Sequence, residues 1–286
     1  MTTRIAYIIG QFIEEEKACL HISDLAISRG YGVFDFFRTV NNIPLFIEDH
    51  LDRFFHSASG MRLKPGTTRE DLKSIIHHLI KTNNIPVSGI RILLTGGYSS
   101  DSLEILAPNL IITQQPLSAP SSELFEKGIK VITHEYVREL PDVKTTHYIM
   151  GIWMQEKIKR HEAFDVLYHQ NGIVSEFPRS NFFIVTKDNV VVTPAKNILN
   201  GITRMKVLEL ARKNFAAEER TVTIENIRNA KEAFMTSTTK RILPIVQVDD
   251  MIIGNGIPGT ITQSLDAAFA ELEKEMISSE SFATKF

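Results

Sequence analysis

Between Gln115 and Ser122 the chain reads QPLSAPSS, two prolines and three serines in eight residues without hydrophobic period. Such a stretch neither continues a helix nor fits the middle of a sheet. It divides 286 residues, too many for one small core, into two blocks. We expect a small N-terminal α+β domain over 1–115, a linker over 116–122 and a large C-terminal α+β domain over 123–286.

In the first block, Ile5–Ile9 and Ala18–Ile22 read as short strands around a polar turn. Gly32–Val40, Asn41-Asn42 and Ile43–Ile47 read as strand, tight turn and strand, because Asn tolerates positive φ. Helical spacing follows in Leu51, Phe54, Phe55 and Ala58. A second helix is expected over Thr68–Asn83, capped by Thr67 or Thr68, with a Leu72, Ile75, Ile76 and Leu79 stripe. Strands at Gly89–Thr95 and Asn109–Gln114 complete the block.

The second block predicts strands at Gly128–Thr133, Ala163–His169, Asn181–Val185, Val190–Thr193, Ala233–Thr236 and Ile242–Val248. Helices are expected over His147–His161, Thr203–Phe215 and about Thr260–Met276. Strands and helices mix without strict βαβ alternation, and no internal repeat is visible. The fold class expected is α+β, mixed sheets with flanking helices.

The net charge of −2 provides no field for nucleic acid. A single cysteine, Cys19, permits no internal disulfide and no thiolate zinc site. The apolar run before Gly10 is too short for a signal or a membrane span, so a reduced, cytoplasmic setting is expected. The histidines form no metal pattern; His77 and His78 are adjacent and diverge on a helix. Gly254–Gly259 is a turn outside any strand–GxGxxG–helix order.

Four stretches carry possible chemistry. In Val174–Phe183 (VSEFPRSNFF), Glu176 lies in a turn before a strand and reads equally as a solvated carboxylate. Ile198–Arg204 (ILNGITR) opens a helix whose free N–H groups suit an anion, and Gly201 allows close backbone approach; an ordinary cap reads the same way. Ser237, Thr238 and Thr239 end a strand with hydroxyls that fit phosphate or a polar turn. Arg53 on the first long helix is either an oxyanion clamp or a solvated helix charge.

Together, and in this order, these stretches resemble the class IV aminotransferases: branched-chain aminotransferases, D-amino acid transaminases and aminodeoxychorismate lyases. The resemblance runs from Arg29-Gly30-Tyr31-Gly32 to Ser237-Thr238-Thr239. It implies pyridoxal 5′-phosphate as cofactor, a two-domain fold of type IV and a homodimer. It also implies an active site between domains, closed by a loop from the neighbouring subunit. The family's Schiff-base lysine falls about thirty residues before the Glu, where this chain has Lys144. An aldehyde-bearing cofactor needs an amine nucleophile, which Lys supplies on a flexible stem. Glu176 matches the partner of the pyridine nitrogen and Leu199 the apolar residue against one ring face. Arg53, the N–H groups of Ile202 and Thr203, the Thr203 hydroxyl, Thr238 and Ser237 match the phosphate cup. Tyr148 lies one position before the place where some relatives carry a Tyr near the cofactor's phenolic oxygen.

Substrate carboxylates are held differently across the family. The usual D-amino acid transaminase pattern has an Arg and a His after the Gly89–Thr95 strand; here the loop is GGYSSDS. Arg179 beside Glu176, Arg91 on the strand, and Arg29 before Gly30-Tyr31 are the candidates to replace them, with Tyr31 in the same substrate-facing segment. An arginine-rich pocket favours dicarboxylates, so the resemblance implies D-glutamate or D-alanine with 2-oxoglutarate. A branched-chain L-aminotransferase remains open, since Phe34, Phe36 and Phe37 fit an apolar pocket. So do a lyase releasing pyruvate from aminodeoxychorismate and, from another class, a non-catalytic binding module that has kept the fold.

Overall fold

In the computed structural model, residues 3–283 are described, with side chains through 279. The chain clusters into two compact units. Unit 1 comprises the chain to Ser118, Val143–His147 and the C-terminal part from Met276; unit 2 comprises Ala119–Asp142 and Tyr148–Glu275. A single cut at the linker does not describe this division, because the five-residue segment carrying Lys144 is built into the N-terminal unit.

Unit 1 contains strands β1 (Ile5–Ile8), β2 (Gln11–Glu14), β3 (Gly32–Val40), β4 (Ile43–Pro44), β5 (Ser88–Thr95) and β6 (Leu110–Pro116). They form one antiparallel sheet in the order β2-β1-β6-β5-β3-β4. Helices α1 (Leu25–Arg29), α2 (Ile47–Gly60) and α3 (Arg69–Asn83) belong to it. The stripe of α2, Ile47, Leu51, Phe54 and Ala58, and that of α3, Leu72, Ile76 and Leu79, pack with Val33, Phe37, Ile90, Ile92, Leu94 and Ile112 from the sheet. Thr68 caps α3 by accepting from Asp71 N at 3.1 Å. Asn41 and Asn42 both take positive φ in the β3–β4 turn, as their residue types foretold.

Two expectations fail here. Ala18–Ile22 forms no strand; its residues present no buried face. Instead Ile9 and Gly10 take φ of 48° and 82°, a two-residue turn that folds Gln11–Glu14 back onto β1. The presumed linker is shortened from both sides, because β6 runs to Pro116 and Ser121 caps α4 (Ser122–Lys127).

Unit 2 contains β7 (Ile129–Glu135), β8 (Asp165–Gln170), β9 (Ile173–Val174), β10 (Asn181–Val185), β11 (Val191–Pro194), β12 (Ala217–Arg220), β13 (Glu232–Ser237), β14 (Arg241–Val248) and β15 (Met251–Ile252). Their mixed sheet runs β12-β11-β10-β13-β14-β7-β8-β9, with β15 on β14. The β11/β12, β14/β7 and β7/β8 pairs are parallel. Its helices are α5 (Ile149–Trp153), α6 (Gln155–Arg160), α7 (Ile202–Asn214), α8 (Ile224–Arg228) and, up to Glu275, α9 (Thr260–Ala283), whose last turns from Met276 belong to unit 1. The single helix expected over His147–His161 is therefore two, interrupted at Met154, whose ψ relaxes to −10° and whose side chain is buried beside Ile132, Val166 and Tyr168. The last helix runs seven residues beyond the expected Met276. The mixture of parallel and antiparallel pairs is α+β, as expected. No helix among the described residues is long and apolar enough to cross a membrane.

Candidate active site

Lys144 is placed by β3. Its carbonyl accepts from Phe34 N at 3.0 Å, Thr146 N donates to Gly32 O at 2.9 Å, and Val33 bridges Thr145. Its own N–H donates to Ser57 Oγ of α2 at 3.1 Å. The Lys144 ammonium sits 4.6 Å from the Phe34 ring centroid. Arg91, cross-strand on β5, holds its guanidinium 5.3 Å from that same centroid and 6.0 Å from that of Phe36. Two cations thus lean on one aromatic ring, a contact that tolerates positive charge in a partly apolar setting.

Arg53 is not a solvated helix charge. Its side chain is only 9% exposed, with Nε donating to Asp35 Oδ2 at 2.8 Å and Nη2 to Oδ1 at 2.9 Å. His50 Nδ1 lies 2.7 Å from the same Oδ1. Asp35 is fully buried on the core face of β3. Burial alone would push its carboxyl up; the charges and hydrogen bonds of Arg53 and His50 outweigh this and hold it well below the usual range. Burial holds His50 below its ordinary value against the pull of Asp35, and the positive charges of Arg53 and Lys144 push the same way as burial. Lys144 and Arg91 therefore meet at Phe34, whereas Arg53 meets Asp35, whose side chain lies on the opposite, core face of β3. Tyr31, of the same unit, donates its hydroxyl to Met61 O at 2.7 Å, and Arg29 ends α1, exposed, with Nη1 on Ser28 O at 2.9 Å.

In unit 2 the centre is Glu176, 4% exposed and so not the solvated turn carboxylate its sequence context allows. Its Oε1 accepts from Arg138 Nε at 2.8 Å and Nη2 at 2.7 Å. Its Oε2 accepts from Leu199 N at 2.9 Å and, more weakly, from Asn181 Nδ2 at 3.4 Å. Asn181 Nδ2 also donates to Leu199 O at 2.8 Å, fastening the ILNG turn to the Glu176 turn. Arg138 continues to Pro141 O and so secures the chain that leads toward Lys144. A carboxylate this buried needs such partners to stay ionised.

The α7 start follows directly. Gly201 is its N-cap and supplies no side-chain cap, and Ile202 and Thr203 are buried in its first turn. A Cβ at Gly201 would lie 2.0 Å from Asn181 Oδ1, so the close approach of the two turns requires glycine. Thr236, paired in register with Asn181, and Ser180 next to it both keep a buried hydroxyl oxygen without a hydrogen-bond partner. Ser237 accepts from Lys240 N at 3.2 Å, and Thr238 lies half-buried in that turn. Arg179 is exposed in the Glu176 turn and feels the buried Asp165, as does Lys240. Burial pushes the Asp165 carboxyl up and the Lys240 amine down. Tyr148 precedes α5, its carbonyl accepting from Ile152 N at 3.1 Å.

These residues suit pyridoxal phosphate. An uncapped helix start beside unpaired buried hydroxyls suits a phosphate, and a buried carboxylate at the neighbouring turn suits a protonated ring nitrogen. Among the described residues no group of three metal-ligating side chains occurs. Sequence reading missed Asp35, Arg138 and Lys240. Asp35 had a visible signal, a charge at a core-facing position between Val33 and Phe37; Arg138 had none, because its partner is 38 residues away.

The model of the amino-transferase class IV family matches residues 32–248. D-alanine aminotransferase of Bacillus licheniformis is 31% identical over 91% of this chain and 93% of its own length. That of Staphylococcus epidermidis is 30% identical over 92% and 95%. The crystal structure of Escherichia coli branched-chain amino acid aminotransferase aligns over 95% of both chains with a TM-score of 0.88 and 25% identity. The family match over most of the chain and relatives 30% or more identical along nearly its whole length place the chain in the class IV aminotransferases: it is a pyridoxal-phosphate-dependent transaminase of fold type IV.

Proposed function

We propose that this transaminase moves the amino group between a D-amino acid, D-glutamate or D-alanine, and a 2-oxo acid such as 2-oxoglutarate. The observation that carries this reading is the pair of cations on the Phe34 ring. An arginine beside the lysine amine is a carboxylate receptor next to the reacting group, and the two relatives named above are D-alanine aminotransferases.

Bound pyridoxal phosphate supplies the electron sink for the substrate Cα. Lys144 is the residue we assign to hold it covalently and to remove the Cα proton. Glu176, kept in place by Arg138 and Leu199 N, pairs with the ring nitrogen, and Leu199 packs on the ring. Arg53, held by Asp35, binds the phosphate with the N–H groups of Ile202 and Thr203, the Thr203 hydroxyl, Thr238 and Ser237. Tyr148 is the residue we assign to the cofactor's phenolic oxygen, which its hydroxyl would hydrogen-bond. Arg179, Arg91, Arg29 and Tyr31 are the residues we assign to the substrate, the arginines to its carboxylates.

The working form we propose is a cytoplasmic homodimer organised as an N-terminal and a C-terminal domain. Exposed Ile152 (72%) and Trp153 (68%) on α5, with Ile149, support a buried subunit contact there, and the single exposed Cys19 suits a reducing compartment.

A branched-chain L-aminotransferase is the second reading, favoured by the aromatic Phe34 and Phe36 around Arg91. Half-reaction spectra separate the two. D-Glutamate should discharge the lysine-bound cofactor band quickly and L-leucine slowly; rapid loss with L-leucine alone contradicts the proposal.

A further inference from the structure

Helix α1 and the 96–109 loop are separated by some seventy residues, yet one buried carboxylate holds both. Asp24 has no solvent exposure. Its Oδ1 accepts from Ala26 N at 2.8 Å, capping α1. Its Oδ2 accepts from Thr95 Oγ1 at 2.7 Å, where β5 ends, and from Asn109 Nδ2 at 2.8 Å, where the chain returns to β6. Both ends of the loop are thus tied to the start of the helix.

Backbone bonds reinforce the tie: Leu25 N to Gly97 O at 3.0 Å, Ser99 N to Ser23 O at 3.3 Å, and Gly96 N to Tyr31 O at 3.0 Å. Gly97 has φ +79°, and a Cβ there would lie 1.8 Å from Ala107 O, so the loop is folded tightly on itself. At the other end of α1, Thr146 Oγ1 donates to Gly30 O at 2.9 Å and Gly32 O at 3.3 Å. Thr146 lies two residues after Lys144. The clipped pair of segments is therefore anchored on the short segment that carries the reactive amine. On these two segments Arg29, Ile27, Tyr98, Leu103 and Leu106 are all exposed.

We propose that Asp24 is a positioning residue for substrate. It welds α1 and the 96–109 loop into one arm whose cationic and apolar surface receives the carboxylate and side chain of the amino acid. This rests on the assignment of Arg29 to substrate above. A buried carboxylate with three donors fixes geometry because replacing one oxygen by an NH2 sets donor against donor at Thr95 and Asn109.

The test is Asp24→Asn in the holoenzyme, with Thr95→Val and Thr95→Ser as a second pair. The expected result is a KM for the amino donor raised about tenfold, kcat within about twofold, and an unchanged pyridoxal phosphate dissociation constant. Amide exchange should quicken at 24–31 and 96–109 and not elsewhere. Thr95→Val should reproduce the effect and Thr95→Ser should not, which decides the matter if Asp24→Asn fails to fold. Faster exchange with KM unchanged would overturn the proposal while leaving the Lys144 assignment intact. Equal losses of KM, cofactor affinity and melting temperature would overturn it too, since Asp24 would then be merely structural.

Discussion

At the scale of single residues, the decisive feature is the burial of charge. Asp35 is held ionised chiefly by Arg53 and His50, so Asp35→Asn leaves a buried guanidinium uncompensated and should cost about 3–5 kcal/mol near neutral pH. The folded carboxyl lies below its unfolded value, so its contribution is fully present above the unfolded pKa and fades as pH falls toward the folded one. Chemical denaturation from pH 7 down to about 3 should therefore show wild type and variant converging in acid; a constant gap across that range contradicts this. Arg179→Ala should raise KM for D-glutamate about ten- to hundredfold and affect D-alanine less, read from steady-state rates. Equal KM values for both would remove Arg179 from the site. Sequence singled out Glu176 and Leu199 through short contiguous stretches, and Lys144 through its spacing to Glu176 in the family resemblance. It hid the ion partners Arg138 and Asp35, which act across turns of the fold.

Among elements, the α7 start has the tightest geometry. Gly201→Ala places a methyl where Asn181 Oδ1 now lies, and Asn181 is the link between Glu176 and Leu199. The substitution should cost about 1–3 kcal/mol by overpacking and weaken pyridoxal phosphate binding, measured by titrating the apoenzyme. An unchanged cofactor affinity would place the phosphate elsewhere. The elements read well from sequence were those with a sustained apolar stripe, α2 and α3 above all. Those misread had patterns decided by distant partners. Ala18–Ile22 alternates like a strand but finds no strand to pair with. The α5–α6 break at Met154 follows from a packing demand made by Ile132, Val166 and Tyr168 on other strands.

At the scale of the whole molecule, α+β character was legible because strand and helix periods mix without a strict βαβ order. The return of Val143–His147 to unit 1 was not, since five residues carry no period of their own. The apolar exposure on α5 belongs to this scale as well. Sedimentation should give twice the chain mass, and Trp153→Lys should shift the protein toward monomer; a wild-type monomer that is fully active contradicts the dimer. The account turns most directly on Lys144→Ala. Reconstituted with pyridoxal phosphate, the variant should keep its far-ultraviolet circular dichroism and lose the visible band of lysine-linked cofactor, together with incorporation of label on borohydride reduction. A variant that retains both the band and the reducible linkage would show that the cofactor is held by another amine.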